Sequence, residues 1–289
     1  MINLNNKHCV VLGANGQVGR ALVKTLEAAG ATVTALTRKD VDASNLSSLE
    51  DYIKNKNAQA SMDYLFNCVA YTAVDNAESE PKLADKLNHQ APSLLAELSH
   101  KLDFKLVHYS TDYVYPGDGE TPYTENSPTG PLSVYGKTKL AGDLAVQAKA
   151  PTALIGRTSW VYDCEGKNFV NTMLRLAESK TELNVVNDQI GAPTSADYIA
   201  ATTLKLLTKE SRGMFHIVPA GHTSWAEFAR EIFKIKHLNV KVHGIPTSEY
   251  PTPAKRPLNS RLSTDKLCST LHEPIPDWRQ VLAKTLGSQ

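Results

Sequence analysis

Three glycines, Gly13, Gly16 and Gly19, follow directly on the apolar run HCVVLG and restrict how this chain begins to very few folds. An uninterrupted apolar run of that length reads as a strand buried on both faces. The glycines behind it permit a tight turn, a close backbone approach to a ligand, and tight packing of the next helix on the strand. Residues 17–29 carry a helical pattern that Gly30 stops. A helix starting at such a loop aims its free N–H groups at whatever lies above it, which suits a pyrophosphate. Gly13, Gly16 and Gly19 are therefore candidate dinucleotide-binding residues, with an ordinary strand-to-helix turn as the other reading.

The same unit recurs. TVTAL, YLFNCVA, KLVHYST and TALIGRTSW read as strands. Between them lie SNLSSLEDYIKNK with Ser44 as its N-cap, a helix from Pro81 toward His100, and a helix over 134–149 started by Ser133 or Pro131. Strands alternating with helices imply a parallel sheet covered on both faces: an α/β chain of the Rossmann-type, doubly wound kind. Past about residue 160 the rhythm changes, and the stretch Pro246 to Pro257, with four prolines, reads as a loop. We expect a dinucleotide-binding domain over 1–158 and a smaller C-terminal α/β substrate domain over 159–289, interleaved with the first.

Charge and cysteine usage narrow the function. A net charge of +1 with scattered basic residues argues against a grip on nucleic acid. The four cysteines are far apart and the histidines lack ligand spacing, so neither a disulfide framework nor a metal is expected. Cys9 and Cys68 read as buried thiols. No basic start leads into a long apolar stretch, and no apolar run is long enough to span a bilayer. The expectation is a cytoplasmic protein without membrane contact.

The chemistry concentrates at three further points. The second strand ends Leu36-Thr37-Arg38-Lys39, with no carboxylate for a ribose but two cations that suit a 2′-phosphate. That favours NADPH and leaves NADH open; two solvated loop cations are the alternative. Tyr135 and Lys139 stand four apart on a helix, roughly 6 Å between Cβ atoms. A cation there lowers a tyrosine pKa from about 10 and makes the phenol a usable acid or base; a solvated helix face is the alternative. Thr111 and Asp112 end the fourth strand, where parallel sheets bind ligands. The Thr111 hydroxyl is placed to share a substrate carbonyl with Tyr135, or else STDY is a capped loop.

In this order, GANGQVG, NCVAYTAVDNAESEP, HYSTDYVYPG, SVYGKTKLAGD, RTSWVY, VVNDQIGAPTSA, HTSWAEFA and YPTPAKRPLNSRL closely resemble the dTDP-4-dehydrorhamnose reductases among the extended short-chain dehydrogenase/reductases. The resemblance runs over nearly the whole chain. It implies reduction of the C4 carbonyl of dTDP-4-dehydro-β-L-rhamnose by NADPH, the last step to dTDP-L-rhamnose. Tyr135 matches the acid, Lys139 its pKa tuner and a cofactor ligand, and Thr111 the third catalytic member. Gln17, Val18, Asp42, Ala43, Ala70, Tyr71 and Thr72 match cofactor contacts. Thr111, Asp112 and Trp160 match substrate contacts, although Trp160 also reads as a core aromatic. Arg256 and Arg261 suit the substrate diphosphate, or ordinary ion pairs of a surface loop. Two departures matter. Ala21 replaces a glutamate that some relatives use for a magnesium site between subunits, with Asp197 the acidic residue left, so no metal is expected and a homodimer stays open. Thr37 stands where an aspartate is common, which leaves the cofactor preference open. The competing readings are a non-catalytic NADP-binding regulatory subunit, like the one accompanying methionine adenosyltransferase, and a reductase or epimerase of another nucleotide sugar. Thr111 and Trp160 favour the enzyme.

Overall fold

The computed structural model describes residues 4–287 of the 289-residue chain. The first half runs β1 (His8–Leu12), α1 (Gln17–Ala28), β2 (Thr32–Leu36), α2 (Leu46–Gln59), β3 (Tyr64–Asn67), α3 (Val74–Ala77), α4 (Pro81–Asp85), α5 (Ala91–Leu102), β4 (Lys105–Thr111), α6 (Val134–Lys149) and β5 (Leu154–Thr158). The second half continues β6 (Val161–Tyr162), α7 (Phe169–Ala177), β7 (Glu182–Val186), β8 (Ile190–Gly191), β9 (Thr194–Ser195), α8 (Ala196–Thr208), β10 (Gly213–His216), β11 (Thr223–Ser224), α9 (Trp225–Ile235), β12 (Lys241–Ile245), α10 (Asp265–Leu271) and α11 (Trp278–Gly287).

Six parallel strands form the central sheet in the order β10-β5-β4-β3-β1-β2. Alternation along β1 shows why both faces are apolar. Cys9 and Val11 enter one core with Leu22 and Leu26 of α1 and Ile199 of α8. Val10 and Leu12 enter the other with Ile53 of α2, Leu95 of α5 and Val146 of α6. Each leucine or isoleucine fully buried this way contributes about 1.5–3 kcal/mol. The end of α1 is punctuated as the sequence requires: Gly30, at φ +86°, turns the chain out of the helix in a conformation that favours glycine.

The N-cap of α2 differs from expectation. Asn45, not Ser44, accepts from the Ser48 N–H, at 3.2 Å. Ser44 is engaged elsewhere, its N–H and hydroxyl both donating to Asp42 at 3.0 and 2.8 Å. Between α4 and α5 the helix widens into a π turn over Lys86–Gln90.

Residues beyond 158 are shared between two layers. α8 packs against α1, and β10 adds the outermost strand beside β5. A third core gathers around the parallel pair β7–β12, where Phe228, Phe233 and Trp278 meet from α9 and α11. Among the described residues no helix is long and apolar enough to cross a membrane.

Candidate active site

The candidate residues lie at the carboxyl ends of the parallel strands, where Leu12 pairs with both Leu36 and Asn67, and Thr111 with Thr158. After β1 the chain has no room for a side chain at Gly19 and little at Gly13. A Cβ on Gly19 would stand 2.2 Å from the Gly13 carbonyl oxygen, and Gly13 itself sits at φ +85°. α1 then starts with neither a side-chain cap nor an acidic residue in its first turn. That leaves its N-terminus suited to an anion, as a dinucleotide pyrophosphate demands. The rim is tied to the second layer: the Gln17 side chain accepts from Asn168 at 3.0 Å, and Arg20 pairs with Asp163 at 2.8 Å.

At the end of β2 the Thr37 N–H and hydroxyl both donate to Asp40, each at 2.8 Å. This small turn holds Arg38 out, with 81% of its side chain exposed and a 3.3 Å ion pair to Asp42. Asp42 is in turn held by Ser44, whose N–H and hydroxyl keep its carboxyl below the usual range. Ala43 beside it is buried. Past β3 the Tyr71 backbone is clasped by Asn88 of the π turn. Its N–H donates to the Asn88 side-chain oxygen at 2.8 Å, and its carbonyl accepts from the amide nitrogen at 3.2 Å. That nitrogen also donates to Thr138 of α6 at 3.1 Å. The Ala70–Thr72 segment is thus tied to the helix carrying Tyr135 and Lys139.

Ser133 caps α6, accepting from the Gly136 N–H at 3.2 Å. Tyr135 packs edge-on against Tyr113, centroids 5.8 Å apart. Thr111 donates to Asp112 at 3.0 Å and accepts from the Tyr113 N–H at 3.2 Å. From sequence spacing Lys139 should lower the Tyr135 pKa. The structure shows the opposite balance: although Tyr135 keeps some accessible surface, protein atoms crowd its hydroxyl and push its pKa well up, with Thr111 alone among the leading influences pulling it back. The Lys139 ammonium is instead turned onto the Tyr109 carbonyl, at 2.6 Å. Burial lowers the Lys139 pKa to about 8. Asp112 is raised by burial to about 6, against the nearby Ser260 hydroxyl and the hydrogen bond from Thr111.

The substrate candidates part company. Trp160 adopts φ 48° and stacks on Trp225 at 3.6 Å between centroids, so one indole face is committed to protein. Its edge also forbids a Cβ at Gly191, which would come within 2.8 Å. Arg256 pairs with Asp75 at 2.7 Å, and its charge acts on Tyr113, on the Tyr135 side. Arg261 is held by Asn259 at 3.0 Å and neighbours His222; these contacts do not lead to Tyr135. Ala21 is buried in α1 and Asp197 opens α8. Among the described residues no cluster of three His, Cys, Asp or Glu is suited to a metal. Sequence reasoning missed Asn88, Asp75 and Ser260, which carry no local motif. It also missed Asp143, whose spacing of four from Lys139 was a usable signal.

Comparisons with known proteins agree on one family. The RmlD substrate binding domain family matches residues 7–289. A Sinorhizobium fredii protein named dTDP-4-dehydrorhamnose reductase is 43% identical over 281 residues, 93% of each chain. A dTDP-4-dehydrorhamnose reductase structure from Clostridium acetobutylicum superposes with a TM-score of 0.91 at 36% identity, covering 97% of this chain and 99% of that one. One from Bacillus anthracis, in complex with NADP, gives 0.93 at 32%, covering 98% and 99%.

Proposed function

This chain belongs to the dTDP-4-dehydrorhamnose reductase family, and we propose that it reduces the C4 carbonyl of dTDP-4-dehydro-β-L-rhamnose to dTDP-L-rhamnose with NADPH, the last step in making that sugar nucleotide. The NADP held by the Bacillus anthracis relative supports the cofactor. So do the closely packed glycine loop, the uncapped start of α1 and the exposed Arg38. When bound, the reduced nicotinamide supplies the hydride to C4.

The chain's own residues supply the proton and the geometry. Tyr135 Oη gives its proton to the C4 oxygen. Burial keeps that phenol protonated well past neutral pH, which suits an acid waiting for a developing alkoxide. Thr111 steers the same oxygen. The Lys139 cation, one turn along α6 but held on the Tyr109 carbonyl, favours the phenolate left behind through its charge and not through contact. Lys139 also holds a ribose hydroxyl. Asp112 and Trp160 orient the sugar, and Arg256 exchanges Asp75 for the diphosphate, where a guanidinium fits well.

The enclosed Tyr135 phenol beside Thr111, at the carboxyl end of β4, is the observation that carries this reading. Purified protein with NADPH and the keto-sugar nucleotide should lose reduced-nicotinamide absorbance and yield dTDP-rhamnose by mass. Cofactor binding without turnover would contradict it and move weight to a regulatory subunit.

A further inference from the structure

α6 carries a third ionisable side chain in register with the first two: Asp143, four residues beyond Lys139 and fully buried. Arg157 of β5, 4% exposed, donates from Nε to Asp143 Oδ2 at 3.0 Å. Its Nη1 donates to the Tyr115 hydroxyl at 2.8 Å. The other oxygen, Oδ1, lies 4.0 Å from His108 Nε2, and neither atom has a hydrogen-bond partner among the described residues. A buried ion pair is a weak stabiliser, because desolvation cancels most of the attraction and two apolar side chains would serve as well. Its place in the core beneath the site calls for another reason.

The neighbour that supplies one is Lys139, an ammonium only 1% exposed. We propose that Asp143, clamped by Arg157, is a positioning residue: it is the buried counter-charge that keeps Lys139 protonated and turned onto the Tyr109 carbonyl. This rests on the reading that Lys139 serves the reaction as a cation. The charged and titratable groups around the pair are His108 and Tyr109 from β4, Arg157 from β5, Tyr115, and Tyr135 from α6 itself. Asp112 and Tyr113 act at the Tyr135 end. On the side of the π turn, α6 meets the neutral Asn88, and His89 there is paired with Asp85. Of these groups, Asp143 is the one that favours the charged form of Lys139, against its burial. His108 is held neutral by its own burial and by Lys139.

Removing the carboxylate makes Lys139 give up its proton at lower pH. Protein labelled with 13C at lysine Cε reads this without substrate or cofactor, the Lys139 signal being assigned by its loss in Lys139→Met. The wild-type midpoint should lie near 8. Asp143→Asn should lower it by about one pH unit or more, and Asp143→Glu should restore it. The double variant Asp143→Asn/Arg157→Gln, which leaves no unpaired guanidinium in the core, should shift it in the same direction but less. The alkaline limb of kcat/KM should move with the midpoint. An unmoved midpoint in the folded variants, with only a lower melting temperature, would make the pair structural and overturn the proposal. A wild-type protein without turnover would overturn the proposed function and leave the lysine titration to be judged separately.

Discussion

The Lys139 ammonium rests 2.6 Å from the carbonyl oxygen of Tyr109 on the neighbouring strand, not on the tyrosine it follows by four residues. The helix brings the two side chains to one face, but the buried cation takes the nearest strong acceptor.

That burial has a signature in stability. The Lys139 pKa is about 8 in the fold against an ordinary 10.5. Below pH 8 both folded and unfolded chains are charged here, and the fold carries a constant penalty. Between pH 8 and 10.5 the unfolded chain binds more protons, so stability rises with pH. Measured against Lys139→Met by denaturant unfolding, the wild type should gain on the order of 3 kcal/mol across that window. Parallel curves for the two proteins would show that the lysine is not desolvated in the fold.

Gly19→Ala separates steric need from backbone entropy. Inside a helix alanine ordinarily stabilises by roughly 0.5–1 kcal/mol over glycine. Here the new methyl would meet the Gly13 carbonyl at 2.2 Å. The loop must shift, so the variant should lose about 1–3 kcal/mol and bind NADPH at least tenfold more weakly. A stabilised protein with unchanged affinity would mean that the close packing of α1 on the loop is dispensable.

Much of this arrangement was legible because the information is local. Alternating apolar runs and helices gave the parallel sheet, and the glycine trio gave the loop on β1. What escaped is long-range. Nothing near Asn88 announces that its side chain clasps Tyr71, seventeen residues back. Spacing placed Lys139 beside Tyr135, but the direction of the tyrosine shift depends on how many protein atoms crowd its hydroxyl. Arg256 and Arg261 read alike in one loop; only the folded path puts the first against Asp75 and the second against Asn259. The N-cap of α2 moved by one residue because Ser44 and Asn45 are both good caps and Asp42 claims the serine.

Arg38 tests cofactor choice. Its ion pair with Asp42 is exposed, so Arg38→Ala should change stability by less than about 0.5 kcal/mol. Losing a charge-assisted bond to a 2′-phosphate should weaken NADPH binding about tenfold and leave NADH unaffected. Titration of both cofactors by fluorescence checks this; equal losses for both would place the guanidinium away from the phosphate.

The most direct test is the turnover of Tyr135→Phe. The change removes one buried hydroxyl and keeps the ring packed edge-on against Tyr113. Turnover of the keto-sugar nucleotide should fall by about 10²–10⁴, the usual worth of a positioned acid, while NADPH binds as tightly as before. Near-normal turnover in a folded, cofactor-binding variant would remove Tyr135 from proton transfer and contradict the mechanism.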